Sequence, residues 1–357
     1  MYSTQVSSSS VHSAATPSRR SLKPRPRPLL VRAGARFKCF GDGLCCSDVH
    51  LLGPVTPRER RALDLIEPGV LRRDSDARAL VFRTQESGAC VLRSSRGCEL
   101  HAVHGERAKP DGCTRFPFGL IATPEGGRIT TYHRCPCRTL GTRPEIEPEQ
   151  AASSLRSGAG RLRPDGQVGH RVRMAPGKWA SFARYRVVED ALLDDLLVKQ
   201  LDPQVVLGPP PKRVAGVRWS EVLKQMDDAR DGTAYGEALG WFAAAFRAMR
   251  ADVPLALRPR PWSASFDRAQ RREGRLTQQA VLADWVADQI WSLDWVFAIG
   301  DLRGGLKELS LLHGVAQTIA SRLARGRVRG DRAAAEAVMI VELVREGGVW
   351  EEVQQAL

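Results

Sequence analysis

Eight cysteines carry most of the chemistry this sequence could do, and all lie between Cys39 and Cys137. They are Cys39, a vicinal Cys45–Cys46, Cys90, Cys98, Cys113 and a close pair, Cys135 and Cys137. Thiolates are soft ligands that suit zinc or iron–sulfur clusters rather than magnesium or calcium. Four are enough for one tetrahedral zinc or one cubane cluster, so eight could build two sites, or one site with further thiols beside it. All eight are therefore candidate metal ligands. Cys135-Pro136-Cys137 can present two sulfurs on one side of an extended chain, whereas the neighbours Cys45 and Cys46 should point apart and could serve different centres. Gly41 and Gly43 permit the tight reversal that brings Cys39 towards Cys45. None of the spacings is that of a zinc ribbon or a bacterial ferredoxin, so zinc and an iron–sulfur cluster both stay open. His50, His101, His104 and His133 share the window. His101 and His104 could complete a mixed site, against the plainer role of polar loop groups or outer hydrogen-bond donors.

The segments that must position these sulfurs divide into four. Residues 1–36 are rich in Ser and Pro and hold Arg19, Arg20, Lys23, Arg25, Arg27, Arg32 and Arg36 with no acidic residue, half of the formal excess of +14. Such a stretch has little to bury and is expected to be a disordered basic tail. A tail of this kind can hold nucleic acid loosely, but a solvated extension is the plainer reading and a nucleic-acid partner is not expected. Residues 37–140 form the cysteine region, with frequent turn residues, short strands expected at Ala79–Arg83, Ala89–Leu92 and Arg128–His133, and a helix over Thr56–Glu67 capped by Thr56 with Pro57 at its first position. Residues 141–178 read as a linker with at most a short helix near Pro148–Arg156. From Trp179 onward the apolar period turns helical: Phe182, Tyr185, Val188, Leu192 and Leu196 form one stripe. Further helices are expected at Trp219–Arg230, Ala234–Arg250, Leu276–Ile299, Leu306–Arg325 and Asp331–Glu346, burying Trp179, Trp241, Trp285, Trp291 and Trp295. The expected fold class is α+β: a small cysteine-rich metal-binding domain of short strands and loops, followed by an all-helical domain of about six helices.

The start of the chain lacks a secretory pattern, and the most apolar window, Val281–Ile299, is interrupted by Asp284, Asp288 and Asp294. A cytoplasmic protein without a membrane partner is the expectation. Thiols stay reduced there, which favours metal ligation over disulfides.

The order of motifs resembles the YkgJ-type cysteine-cluster family. The resemblance lies in FKCFGDGLCC (Phe37–Cys46), PRERRAL, CVLRSSRGCELHAVHGERAKPDGCTRFPF (Cys90–Phe118) and HRCP (His133–Pro136). It spans about residues 37–140 and implies a zinc- or iron-chelating role. Where many members have Cys-x-x-Cys-Gly-x-Cys-Cys, this chain has Asp42 at the second cysteine; either Cys137 compensates or the Asp42 form binds differently. The helical second half, in WASFARYRVVEDALLDDLL, LADWVADQIWSLDWVF and LKELSLLHGVAQTIASRLA, is similar in pattern to the flagellin lysine N-methylase branch. That likeness implies methyl transfer to lysine on a protein substrate, with an iron–sulfur cluster close to the reaction. No glycine-rich nucleotide loop of the usual methyltransferase kind is visible, and no catalytic residue is carried over. Whether the chain is an enzyme or a structural or sensory metal module stays open at the level of sequence.

Overall fold

The computed structural model describes residues 28–41, 43–74, 78–95, 97–105, 108–156, 160–270 and 275–357. The first half contains β1 (Leu29–Leu30), α1 (Pro57–Ile66), β2 (Leu71–Asp74), β3 (Ala79–Phe82), β4 (Arg93–Ser94), β5 (Gly97–Cys98), α2 (Glu99–His104), α3 (Asp111–Arg115), β6 (Phe118–Ala122), β7 (Gly127–Thr131), α4 (Pro136–Thr139) and α5 (Pro148–Leu155). Then follow β8 (Gly166–Gln167), β9 (Arg171–Ala175), β10 (Lys178–Ser181), α6 (Phe182–Leu197), α7 (Pro203–Leu207), α8 (Trp219–Asp228), α9 (Ala234–Ala251) and α10 (Ser263–Gln270). The last elements are α11 (Gln278–Ser292), α12 (Asp294–Ala298), α13 (Leu302–Arg325), α14 (Gly330–Glu346) and α15 (Glu351–Ala356).

This corrects the expected α+β arrangement of a small metal-binding domain followed by about six helices. Among the described residues, fifteen helices run through both halves, with few and short strands, and ten of them (α6 to α15) follow residue 181. The cysteine region is not a self-contained ion-binding unit: among the described residues, no three Cys, His, Asp or Glu side chains stand where they could hold one metal ion. The extra helices α7, α12 and α15 are five or six residues long. That is too short for an apolar period to register, and packing rather than propensity holds them. The expected Leu276–Ile299 helix is broken where Leu293 turns to φ 60°, a conformation Leu rarely adopts and that its composition does not announce.

One sheet crosses three of the four expected segments. Its order is β1-β7-β6-β8, with β1 parallel to β7, β6 antiparallel to β7 and β8 parallel to β6. Leu29 and Leu30, from the stretch read as tail, pair with Gly127 and Arg128. The stretch read as linker supplies β8 and β9, and its last residue starts β10, which runs into the stretch read as helical. Residues 1–27, where the rest of the expected disordered tail falls, lie outside the described residues.

The cysteine half is fastened to the helices by buried charge. Asp284 and Asp288, one turn apart on α11, face Arg32 and Arg138. Arg138 donates to Asp284 Oδ2 and Asp288 Oδ2, each at 2.6 Å, and Arg32 pairs with both carboxylates. Thr131 Oγ1 donates to Asp288 Oδ2 at 2.6 Å, and His133 Nε2 lies 2.8 Å from the same oxygen. A second fastening is Arg128 of β7, wholly buried, which grips Glu189 of α6 through two bonds of 2.7 and 2.9 Å beneath Trp291. A third is the Arg134 backbone N–H, which donates to Glu342 of α14 at 2.7 Å. The helical core reaches back across the same boundary to take in Leu44, Val49 and Leu140.

Burial alone would raise the Asp288 carboxyl, but Arg138, Arg32 and His133 hold it well below the usual carboxylate range. A carboxyl depressed in the folded state stabilises above its unfolded value of about 3.9 and loses that contribution as pH falls through the folded value. Asp288→Asn should cost about 3 kcal/mol at neutral pH, because two buried guanidinium groups are then left to share the half-buried Asp284 carboxylate. Urea unfolding at pH 7 measures this, and the variant's deficit should shrink as the pH is lowered through the acid limb.

Candidate metal centre

Local chemistry explains how four of the cysteines come to one place. Gly43 sits at φ 79°, in the left-handed region that favours glycine, and opens a 3-10 turn over Leu44–Cys46. A Cβ there would strike the Arg93 guanidinium at 2.3 Å. That guanidinium instead closes down on the turn and donates to the Gly43 carbonyl at 2.9 Å. Cys90 N–H donates to the Cys46 carbonyl at 2.8 Å, which fixes those two residues side by side. The β4–β5 hairpin then turns the chain back, pairing Cys98 with Arg93.

Cys113 arrives from another direction, on α3. The N-terminus of α1 forms a capping box: Thr56 Oγ1 accepts from Glu59 N–H, and Glu59 accepts from Thr56 N–H at 2.7 Å. The other Glu59 oxygen accepts from Asp111 N–H at 2.7 Å, so a single carboxylate ties the starts of α1 and α3 together. Burial works against its charge, yet these hydrogen bonds hold the Glu59 carboxyl below its ordinary value. Cys46, Cys98 and Cys113 pack against a small apolar core of Leu52, Val55, Leu63, Phe82, Cys90 and Leu100.

Cys46, Cys90 and Cys98 all lie within electrostatic reach of Cys113, and Cys46 and Cys98 within reach of Cys90. Burial pushes the Cys113 thiol up to about 12 and the Cys90 thiol to about 11, and the neighbouring sulfurs push the same way. A thiol so raised is protonated at neutral pH, so a metal must displace its proton to bind. No disulfide joins any of the eight cysteines.

The other sulfurs are placed differently. Cys39 and Cys45 are exposed, while Cys135 and Cys137 are buried. Cys137 accepts from Phe40 N–H at 3.3 Å, which brings the Cys39 end of the chain to that site. Cys45 and Cys46 do not point apart: their sulfurs are 4.0 Å apart, because the segment is a tight 3-10 turn and not an extended strand. Cys135-Pro136-Cys137 is not extended either. Cys135 caps α4 and Pro136 starts it, so the two-on-one-side geometry of a strand does not apply. His101 and His104 are exposed on α2. Asp42 lies outside the described residues.

Sequence reasoning gave no separate weight to His50. Both of its ring nitrogens are buried without a hydrogen-bond partner. Its ring rests on Phe116 with centroids 5.1 Å apart, three residues beyond Cys113. Burial, with Arg134 nearby, holds the imidazole well below its ordinary pKa, so it is neutral and keeps a lone pair. Its position four residues after Cys46 was the only available signal.

Comparison with family models, with curated proteins and with solved structures finds no match to this chain. Among the described residues, no helix is long and apolar enough to cross a membrane.

Thiol reactivity should separate the two kinds of sulfur. In metal-free protein at pH 8, iodoacetamide labelling followed by peptide mass spectrometry should modify Cys39 and Cys45 first. Cys90, buried, and Cys113, half-buried, are both protonated and should be modified more slowly, and equal rates at all four would contradict this arrangement.

Proposed function

We propose that this chain binds a thiophilic metal centre, zinc or an iron–sulfur cluster, through Cys46, Cys90, Cys98 and Cys113. The observation that supports the reading is the gathering of four thiols from three separate segments beside one small core. The donor set is soft and of the right number for a tetrahedral ion or a cubane cluster. The orphaned nitrogens of His50, beside Phe116, are the kind of buried polar atoms that a nearby centre or its outer hydrogen bonds would satisfy.

The sulfurs as they stand are not at chelating positions, so capture requires their side chains to turn inward and each to give up a proton. The Cys90–Cys46 backbone hydrogen bond and the Glu59 tie keep the backbone in place while they do so. Zinc would supply a cross-link and an iron–sulfur cluster an electron store as well. Binding free energy would appear as stability of this lobe, whose apolar core is small. A reducing, cytoplasmic setting belongs to the same reading, since it keeps the thiols available.

Anaerobic purification with elemental analysis and a visible absorption spectrum tests the proposal. Stoichiometric zinc with no colour, or iron with sulfide and visible charge-transfer bands, would support it and choose the metal. Cys113→Ser and Cys46→Ser should each abolish metal binding, and chelation should lower the unfolding temperature of the native chain but not of these variants. Cys39→Ser should leave the metal in place. A chain that emerges without metal, and takes up neither zinc nor reconstituted cluster, overturns the reading.

A further inference from the structure

Trp179 stands apart from the other tryptophans. The helical period that starts in this region would place it in the core, yet it is 55% exposed. The other seven tryptophans are buried or half-buried. The reason is local: Trp179 lies on β10, before α6 begins at Phe182, so the period that governs it is two and not 3.6.

β9 and β10 form an antiparallel ribbon with Trp179 opposite Arg173, Ala180 opposite Val172 and Ser181 opposite Arg171. Val172, 2% exposed, points inward to join Ile121, Phe182 and Tyr185. The alternation therefore turns Arg171, Arg173 and Trp179 together to the outer face. The Arg171 guanidinium lies 5.8 Å from the centre of the Trp179 ring. Lys178 and Arg184 are exposed at either end of β10 and the turn into α6.

The stretch of chain that carries the ribbon is dominated by one sign of charge. Residues 160–184 contain Arg161, Arg163, Arg171, Arg173, Lys178 and Arg184 against a single acid, Asp165. Asp165 is already held by Arg115, with Nη2 at 2.7 Å. One further carboxylate, Asp301, comes within 3.9 Å of Arg173 Nε, and it also caps α13 through Gly304 N–H. The face offers an aromatic surface with Arg171 and Arg173 beside it, in a stretch of chain rich in cations and poor in acids.

We infer that the outer face of the β9–β10 ribbon is a binding site for single-stranded nucleic acid. An unpaired base offers a π face to the Trp179 indole, and the strand's phosphates meet the surrounding guanidinium and ammonium groups. Arg171 and Arg173, two residues apart on one face, stand about 7 Å from each other along the strand, so they can serve successive positions of an extended backbone. A duplex hides its base faces and would leave Trp179 without a partner. A membrane surface calls for several exposed apolar side chains, and here the ribbon offers one. This inference is independent of the metal reading, and rests on residues other than those of the N-terminal basic segment.

Fluorescence anisotropy with the full chain tests it, using labelled oligouridylate and oligothymidylate, a duplex of equal length, and vesicles of phosphatidylcholine with phosphatidylglycerol. Single strands should bind best, with the RNA and DNA arms showing whether the sugar matters. Trp179→Ala should weaken binding about tenfold, and Trp179→Phe should restore most of the loss. Arg171→Gln and Arg173→Gln should each reduce the slope of log affinity against log salt by about 0.7. Arg60→Gln on α1 should do neither. Binding that ignores Trp179→Ala and Arg171→Gln, or a preference for duplex or vesicles over single strands, overturns the inference. Circular dichroism of these surface variants separates a lost contact from a lost fold.

Discussion

Two carboxylates on α11, Asp284 and Asp288, hold the molecule together. They receive Arg32 from the N-terminal segment and Arg138 from α4, with Thr131 of the sheet and His133 of the turn after it completing the group. Two buried positive charges paired with one buried and one half-buried carboxylate bring little net attraction, but any arrangement that separates them leaves an unmatched buried charge. The group therefore works as a strict condition on how the cysteine half meets the helices. The apolar residues that cross the same boundary, Leu44, Val49 and Leu140, supply the burial.

This constraint explains why the cysteine region is not a separate domain. Its sheet borrows an edge strand from residues before the first cysteine and another from residues well after the last. The region's own apolar core is small, and the segments that carry Cys46, Cys90, Cys98 and Cys113 are loops, a hairpin and short helices. Such a lobe depends on ties. Glu59 between α1 and α3 and Arg93 on the Gly43 turn are two of them, and in the proposed function a metal is the third. Of the remaining thiols, Cys45 stays beside Cys46, and Cys137 on α4 takes the Phe40 N–H.

Two surfaces with different chemistry thus lie on one frame: a group of buried and half-buried thiols, and an exposed basic ribbon carrying one solvent-facing indole. The sheet links them, since β6 and β7 lead out of the Cys113 segment while Val172 of the ribbon packs against Ile121 of β6. Nothing about either surface requires the other to be occupied. The two readings stand or fall separately.

Patterns confined to a few neighbouring residues were legible from the chain alone. Thr56-Pro57 with Glu59 announced the start of α1, and the long apolar periods of α9, α13 and α14 announced those helices within a few residues of where they lie, because capping and amphipathic period are local properties. The collection of cysteines in one window was equally plain. What tertiary structure alone decided was everything that needs a distant partner. Leu29–Leu30 becomes a strand only because Gly127–Arg128 lies beside it. Asp284 and Asp288, which looked like interruptions of an apolar run, became its points of attachment once Arg32 and Arg138 arrived. Trp179 left the core because its segment joined a ribbon before the helix began. The eight sulfurs likewise divided into neighbours and strangers according to contacts far apart in sequence, whose closure depends on the whole chain being folded.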